Sequence, residues 1–149
     1  MSFTVQVDWQ QSELTESDFS RDHTISFGSG QQVQGSSAPE YKGNANLVNP
    51  EESLIAALSS CHMLTFLAIA HLKRLPVASY RDTATAELGK NTENRTQVSR
   101  IELNPKVVFA DGVMVSDEVM DKMHQKAHAN CFIANTLACD VIINSRDNE

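Results

Sequence analysis

The chain predicts an α+β fold built on antiparallel sheet. Three observations lead there. A long apolar segment, residues 49–74, carries helix start and stop signals. Strand-like runs lie on both sides of it. Two further helical segments precede one last short strand. The order strands, helix, strands, helices, strand is not the regular alternation that builds a parallel sheet. At 149 residues, one domain over 1–149 is expected, long enough to bury about two-thirds of the surface its unfolded chain exposes.

Residues 3–9 alternate through Phe3, Val5, Val7 and Trp9, which reads as a strand. Residues 22–27 read as a second, with Gly28-Ser-Gly30 as the turn after it. Residues 35–49, rich in Gly, Ser, Pro and Asn, read as an irregular loop whose length suggests a functional or interface role. The helix begins at Asn49, a good N-cap, with Pro50 at N1 and Glu52 at the capping-box position. It is predicted to run to Arg74, with Pro76 ending it. Its apolar residues occupy nearly every face, so a sheet or a partner subunit must enclose it. Ser59, Ser60, His62 and Thr65 argue for a core helix over a membrane span.

After Pro76, strands are predicted over 77–88, 95–103 and 106–110, with a hairpin turn at Asn91–Asn94. Ser116 caps a predicted helix over 117–129, amphipathic through Val119, Met120 and Met123. A short helix begins at Cys131, and residues 140–144 read as a closing strand. Only the last four residues are polar enough to be read as disordered.

The net charge of −7 disfavours nucleic acid and anionic membranes as partners, since both would repel the chain. The N-terminus lacks a basic region followed by an apolar core, so a cytoplasmic location is expected. There, three cysteines without a Cys-x-x-Cys are no disulfide framework, and a bridge between two of them would be transient and catalytic.

Cys61 lies in the long apolar helix and Cys131 seventy residues later. A buried thiol packs by default as a small hydrophobe, and Cys139 is read that way. Two thiols in separate segments can instead be the halves of a reversible disulfide. A reactive thiol needs its thiolate stabilised by a cation or a helix N-terminus. Arg21 is a candidate cation, against the plainer reading of a solvated loop charge. Glu51 suits the helix N-terminus in its own right.

Glu51 and Cys61 are about 15 Å apart along a continuous helix. They share a site only if the helix breaks or a second subunit brings its own Glu51 to this chain's Cys61, as two antiparallel helices about a two-fold axis would do. His62 points about 100° away from Cys61 and is a poor base for it. Met63, Leu64 and Phe66 are read as core, with a substrate pocket as the competing role. His124, His128 and Cys131 form a competing zinc ligand set, but no second cysteine or carboxylate completes a pattern. Gly-x-Gly-x-x-Gly, P-loop and Gly-x-Ser-x-Gly motifs are absent, which lowers nucleotide-binding and hydrolase readings.

The interval from Asn49-Pro-Glu51 to Cys61, together with Cys131 in His-Ala-Asn-Cys-Phe-Ile-Ala-Asn, resembles the OsmC/Ohr family of organic hydroperoxide reductases. The resemblance implies an intertwined homodimer in which antiparallel sheets wrap two long central helices. It implies a peroxidatic thiol at Cys61, a resolving thiol at Cys131, and site residues Arg21 and Glu51. It further implies an organic hydroperoxide substrate, no bound cofactor, and an external dithiol reductant such as a dihydrolipoyl group. Two departures place the chain nearer OsmC, or an uncharacterised branch, than Ohr proper. Phe132 stands where members often carry Pro, and no glycine-rich run surrounds Arg21. The competing reading is a non-enzymatic ligand-binding or redox-sensing dimer of the same fold.

Overall fold

A computed structural model describes residues 1–11 and 18–146. Apart from Arg146, the C-terminal residues expected to be disordered lie outside that range. The chain divides into two compact units, Met1–Leu54 and Ile55–Glu149.

The first unit holds a three-stranded antiparallel sheet in the order β1 (Val5–Asp8), β2 (His23–Phe27), β3 (Gln32–Gly35). Gly30, at φ 91°, takes the left-handed conformation that the turn between β2 and β3 needs. β3 was not foreseen. Its sequence, Gln-Val-Gln-Gly, carries a single large apolar side chain, and its pairing with β2 defines it. The predicted irregular loop contains a 3-10 turn at Pro39–Tyr41 and returns beside the sheet, where Val48 bridges Gly35. Helix α1 (Pro50–Leu72) starts with the predicted capping box. The Glu52 N–H donates to Asn49 Oδ1 at 2.8 Å, and the Asn49 N–H donates to Glu52 Oε1 at 3.2 Å.

In the second unit, α1 continues unbroken to Leu72, two residues short of the predicted end. Arg74 adopts a left-handed φ of 57°, and the Leu75 N–H closes back on the Ala70 carbonyl. The predicted 77–88 run is two strands, β4 (Val77–Asp82) and β5 (Thr85–Lys90), because they pair with different partners. β4 pairs antiparallel with β7 (Pro105–Phe109), and β5 pairs antiparallel with β6 (Thr96–Leu103). The crossing point is pinned by Asp82, whose carboxylate accepts from the Ser59 hydroxyl and, at 2.6 Å, from the Asn104 N–H. The last strand, β8 (Asp140–Ile143), joins β6 in parallel, beside strand pairs that are otherwise antiparallel.

α2 (Asp117–Asn130) is capped by Ser116 as predicted, and the five-residue α3 (Phe132–Thr136) follows. α2 buries Met123, His124 and Ala127, whereas Val119 stays partly exposed. α1 serves two core clusters. Phe66, Ile69 and Ala70 pack with Met123 and Ala127 of α2, while Leu58 packs with Ile101, Leu103 and Cys131. The buried residues Leu58, His62, Phe66, Ile69 and Ala70 form one stripe of α1. Its opposite stripe, Ala56, Ser60, Leu64, Ala68 and Leu72, is exposed. Thus the helix predicted to be enclosed on most sides is covered on one side by its own chain. By length and composition alone α1, with a mean hydropathy of 1.8, also qualifies as a membrane span. Its packed stripe is what a core helix requires.

Candidate active site

Cys61 lies one turn beyond Leu58 on α1, half-buried. Cys131 is fully buried and serves two helices at once. Its N–H closes α2 on the His128 carbonyl, and its sulfur caps α3 by accepting from the Ala134 N–H at 3.4 Å. Both thiols belong to the cluster around Leu58, Ile101 and Leu103, and each shifts the acidity of the other. Cys139 packs against the same cluster, the role its sequence position suggested.

The two thiols are driven apart in acidity. Burial pushes the Cys61 thiol up, but hydrogen bonds from Cys131, from the N–H groups of Ile133 and Phe132, and from the Thr65 hydroxyl outweigh it, and its pKa falls below the usual 9.0. Burial also raises Cys131, and its hydrogen bond to Cys61 raises it further. Of the two thiols, Cys61 is the one that ionises more readily. The amide donors come from the start of α3. Residue 132 supplies one of them only because it is Phe and carries an N–H, which proline lacks.

In the first unit, Arg21 precedes β2, as expected. Its guanidinium donates to Asp18 Oδ1 at 2.8 Å and to the Phe19 carbonyl, and lies 3.8 Å from the centre of the Phe19 ring. Its ion-pair partner among the described residues is Asp18, three positions away. A cavity of about 400 Å³ opens here, lined by Trp9, Phe19, Arg21 and His23 among others. Glu51 occupies the first turn of α1, where its Oε2 is buried with no hydrogen-bond partner.

His62 turns away from Cys61 into the core. Its Nε2 meets Nδ1 of His124 at 2.9 Å. Burial, then the neighbouring His124 and His128, lower His62 to about 4; burial lowers His124 to about 4 against the pull of Asp121 and Asp82. Both rings are neutral near pH 7. Sequence reasoning had grouped His124 with His128 and Cys131 and missed this partner. The available signal was His62 at a core position between Leu58 and Phe66. Among the described residues, no three His, Cys, Asp or Glu side chains are grouped to hold a metal ion. Of the three apolar neighbours of Cys61, Phe66 is core, Met63 is half-buried and Leu64 is exposed.

The profile of the OsmC-like protein family matches residues 43–146. An OsmC-like protein of unknown function from Vibrio cholerae is 39% identical, with a TM-score of 0.92 over 97% of this chain and 98% of that one. An organic hydroperoxide resistance protein, OsmC, from Legionella pneumophila shares the fold at 14% identity and a TM-score of 0.74, covering 96% of this chain and 95% of its own. An organic hydroperoxide resistance protein from Bacillus subtilis does so at 15% identity and a TM-score of 0.67, covering 96% of each chain. Comparison with the curated proteins gives no match. The profile match and the 39% identity to the Vibrio cholerae protein show that the chain belongs to the OsmC-like family, which includes organic hydroperoxide resistance proteins.

Proposed function

We propose that the chain is a cysteine-based peroxidase that reduces organic hydroperoxides to alcohols. The observation that carries this reading is the Cys61–Cys131 pair, set in one packed cluster with divided acidities. The Cys61 thiolate attacks the distal oxygen of the hydroperoxide. The O–O bond breaks, the alkoxide takes a proton and leaves as the alcohol, and Cys61 becomes a sulfenic acid. Cys131 then attacks the Cys61 sulfur. The S–S bond forms and the hydroxyl leaves as water. An external dithiol reduces the disulfide by exchange and is itself oxidised to a disulfide. A dihydrolipoyl group has the chemistry for this, and no bound cofactor is needed. The reducing cytoplasm suits such a cycle.

The active unit in this reading is a homodimer. The uncovered stripe of α1 gives a second copy of the helix a surface to pack on, and its small residues Ala56, Ser60 and Ala68 permit close approach. α1 is unbroken between Glu51 and Cys61, so the partner's helix is the route by which a Glu51 carboxylate reaches this thiol. Arg21 would hold the thiolate and the polar end of the peroxide. The cavity beside Arg21 also favours a second reading, a ligand-binding or redox-sensing dimer without turnover.

The test is thiol titration with peptide mapping before and after one equivalent of cumene hydroperoxide. Loss of two thiols with a Cys61–Cys131 peptide is expected. Cys61→Ser should consume no peroxide, and Cys131→Ser should complete one turnover and stop. Unchanged thiols in the wild type would sink the peroxidase and leave the binding dimer.

A further inference from the structure

We propose that the buried His62–His124 pair is a positioning device that fixes the register of α1 against α2 and so holds Cys131 within bonding reach of Cys61. The inference deepens the reading above and rests on it only for the pairing of the two thiols.

The placement is what points there. His62 is the residue next to Cys61 on α1, and His124 lies on α2, whose C-cap is Cys131. From His124 to Cys131 is seven residues, two turns of helix and about 10 Å of rise. Both imidazoles are sealed in the core, 1% and 2% exposed, and joined at 2.9 Å. The His124 ring also stacks on Phe66 at 4.4 Å. Around them the α1–α2 contact is apolar: Phe66, Ile69 and Ala70 against Met123 and Ala127. Apolar surfaces attract without direction, so such helices can slide or rotate at little cost. One buried polar pair selects a single register, as a lone polar residue does in a coiled-coil seam.

The pair is also an expensive way to fill the space. His62 Nδ1 and His124 Nε2 are both buried without partners. Each such atom destabilises the fold, and two apolar side chains of similar size would avoid that loss. A costly contact placed one residue from one thiol, and on the helix that ends at the other, fits a demand for position rather than stability.

The test measures the effective concentration of the two thiols for each other, with no peroxide present. The reduced protein is equilibrated in glutathione buffers, where protein dithiol plus oxidised glutathione gives protein disulfide plus two reduced glutathiones. The ratio of the squared reduced to the oxidised glutathione concentration at half oxidation is the effective concentration. His62→Leu/His124→Leu should lower it by about ten- to a hundredfold, the scale on which an ångström of misplacement acts. Denaturant stability of the reduced protein should not fall. An effective concentration within twofold of the wild type would overturn the proposal, as would a drop that merely follows lost stability.

If the double variant does not fold, His124→Gln and His124→Met decide. Gln can still bond His62 and should stay near the wild type, whereas Met, of similar size, should show the loss; equal behaviour overturns the proposal. Because the readout contains no peroxide, absence of peroxidase activity would remove the proposed function and leave this measurement standing.

Discussion

The uncovered face of α1 sets up a direct test of the dimer through Leu64→Arg. Leu64 is 62% exposed in the single chain and belongs to the bare stripe of α1, so a partner helix packed on that stripe covers it. Fully burying a leucine is worth about 1.5–3 kcal/mol, which leaves about 1–2 kcal/mol to be gained per chain when a partner covers the remainder. Two-fold symmetry doubles this to about 2–4 kcal/mol, a shift of about 30- to 1,000-fold in the dimer Kd. Arginine forfeits that gain and places a charge on the apolar seam. It leaves helix propensity nearly unchanged, so the single chain should fold as before.

Sedimentation velocity over a concentration series would read the Kd of both proteins. The wild type should be dimeric at micromolar concentration and the variant substantially monomeric. Peroxide turnover should fall with the dimer fraction if the partner's helix completes the site, while alkylation of Cys61 by iodoacetamide continues. A wild type that sediments as a monomer, or a variant with unaltered Kd, would refute the reasoning.

Two further predictions follow from the same unit. Phe132→Pro removes one N–H donor to Cys61 at the first position of α3, where proline is tolerated, and the Phe132 ring is largely exposed. The pH profile of Cys61 alkylation should move to higher pH with unchanged circular dichroism; a superimposable profile would place the stabilisation of the thiolate elsewhere. The histidine pair, lowered from 6.5 to about 4 in the fold, takes up protons in the unfolded chain first. Its contribution is fully present above pH 6.5 and should be lost between 6.5 and 4, at about 1.4 kcal/mol per pH unit for each proton. Urea melts at fixed protein concentration should show that slope in the wild type and lose it in His62→Leu/His124→Leu. A wild type equally stable at pH 7 and 4.5 would show that the pair is not held neutral.

What was legible in the sequence was local. The capping box at Asn49 and Glu52 and the Ser116 cap involve residues three apart, and the hydrogen bonds form as their chemistry predicts. β3 was hidden because its pairing with β2, more than its own residues, makes it a strand. The break at Asp82 was hidden for a related reason. An apolar alternation through 77–88 says nothing about a change of partner, and the residues that fix it, Ser59 and Asn104, lie more than twenty positions away. The bare stripe of α1 was legible only as a disjunction, sheet or partner, since composition counts apolar residues without saying what covers them. Bringing Cys61 to Cys131 took the resemblance; seventy residues of spacing contain no distance.

The site's electrostatics also depart from what the side-chain inventory suggested. A search for a thiolate partner among charged residues leads to Arg21, because a cation announces itself in sequence. The groups that lower Cys61 within its own unit are two peptide N–H groups, a hydroxyl and a second thiol, which any sequence contains. That arrangement gives the proposed cycle an order. While Cys61 is a thiolate, its charge and its claim on the Cys131 hydrogen add to burial in keeping Cys131 protonated, and so inert toward peroxide. Once Cys61 has become a sulfenic acid the charge is gone, and burial is the main restraint left on Cys131. The second thiol thus becomes easier to ionise at the moment its attack on Cys61 is required. The coupling between the two thiols serves first to select the nucleophile and then, as the charge on Cys61 is lost, to release the thiol that resolves it.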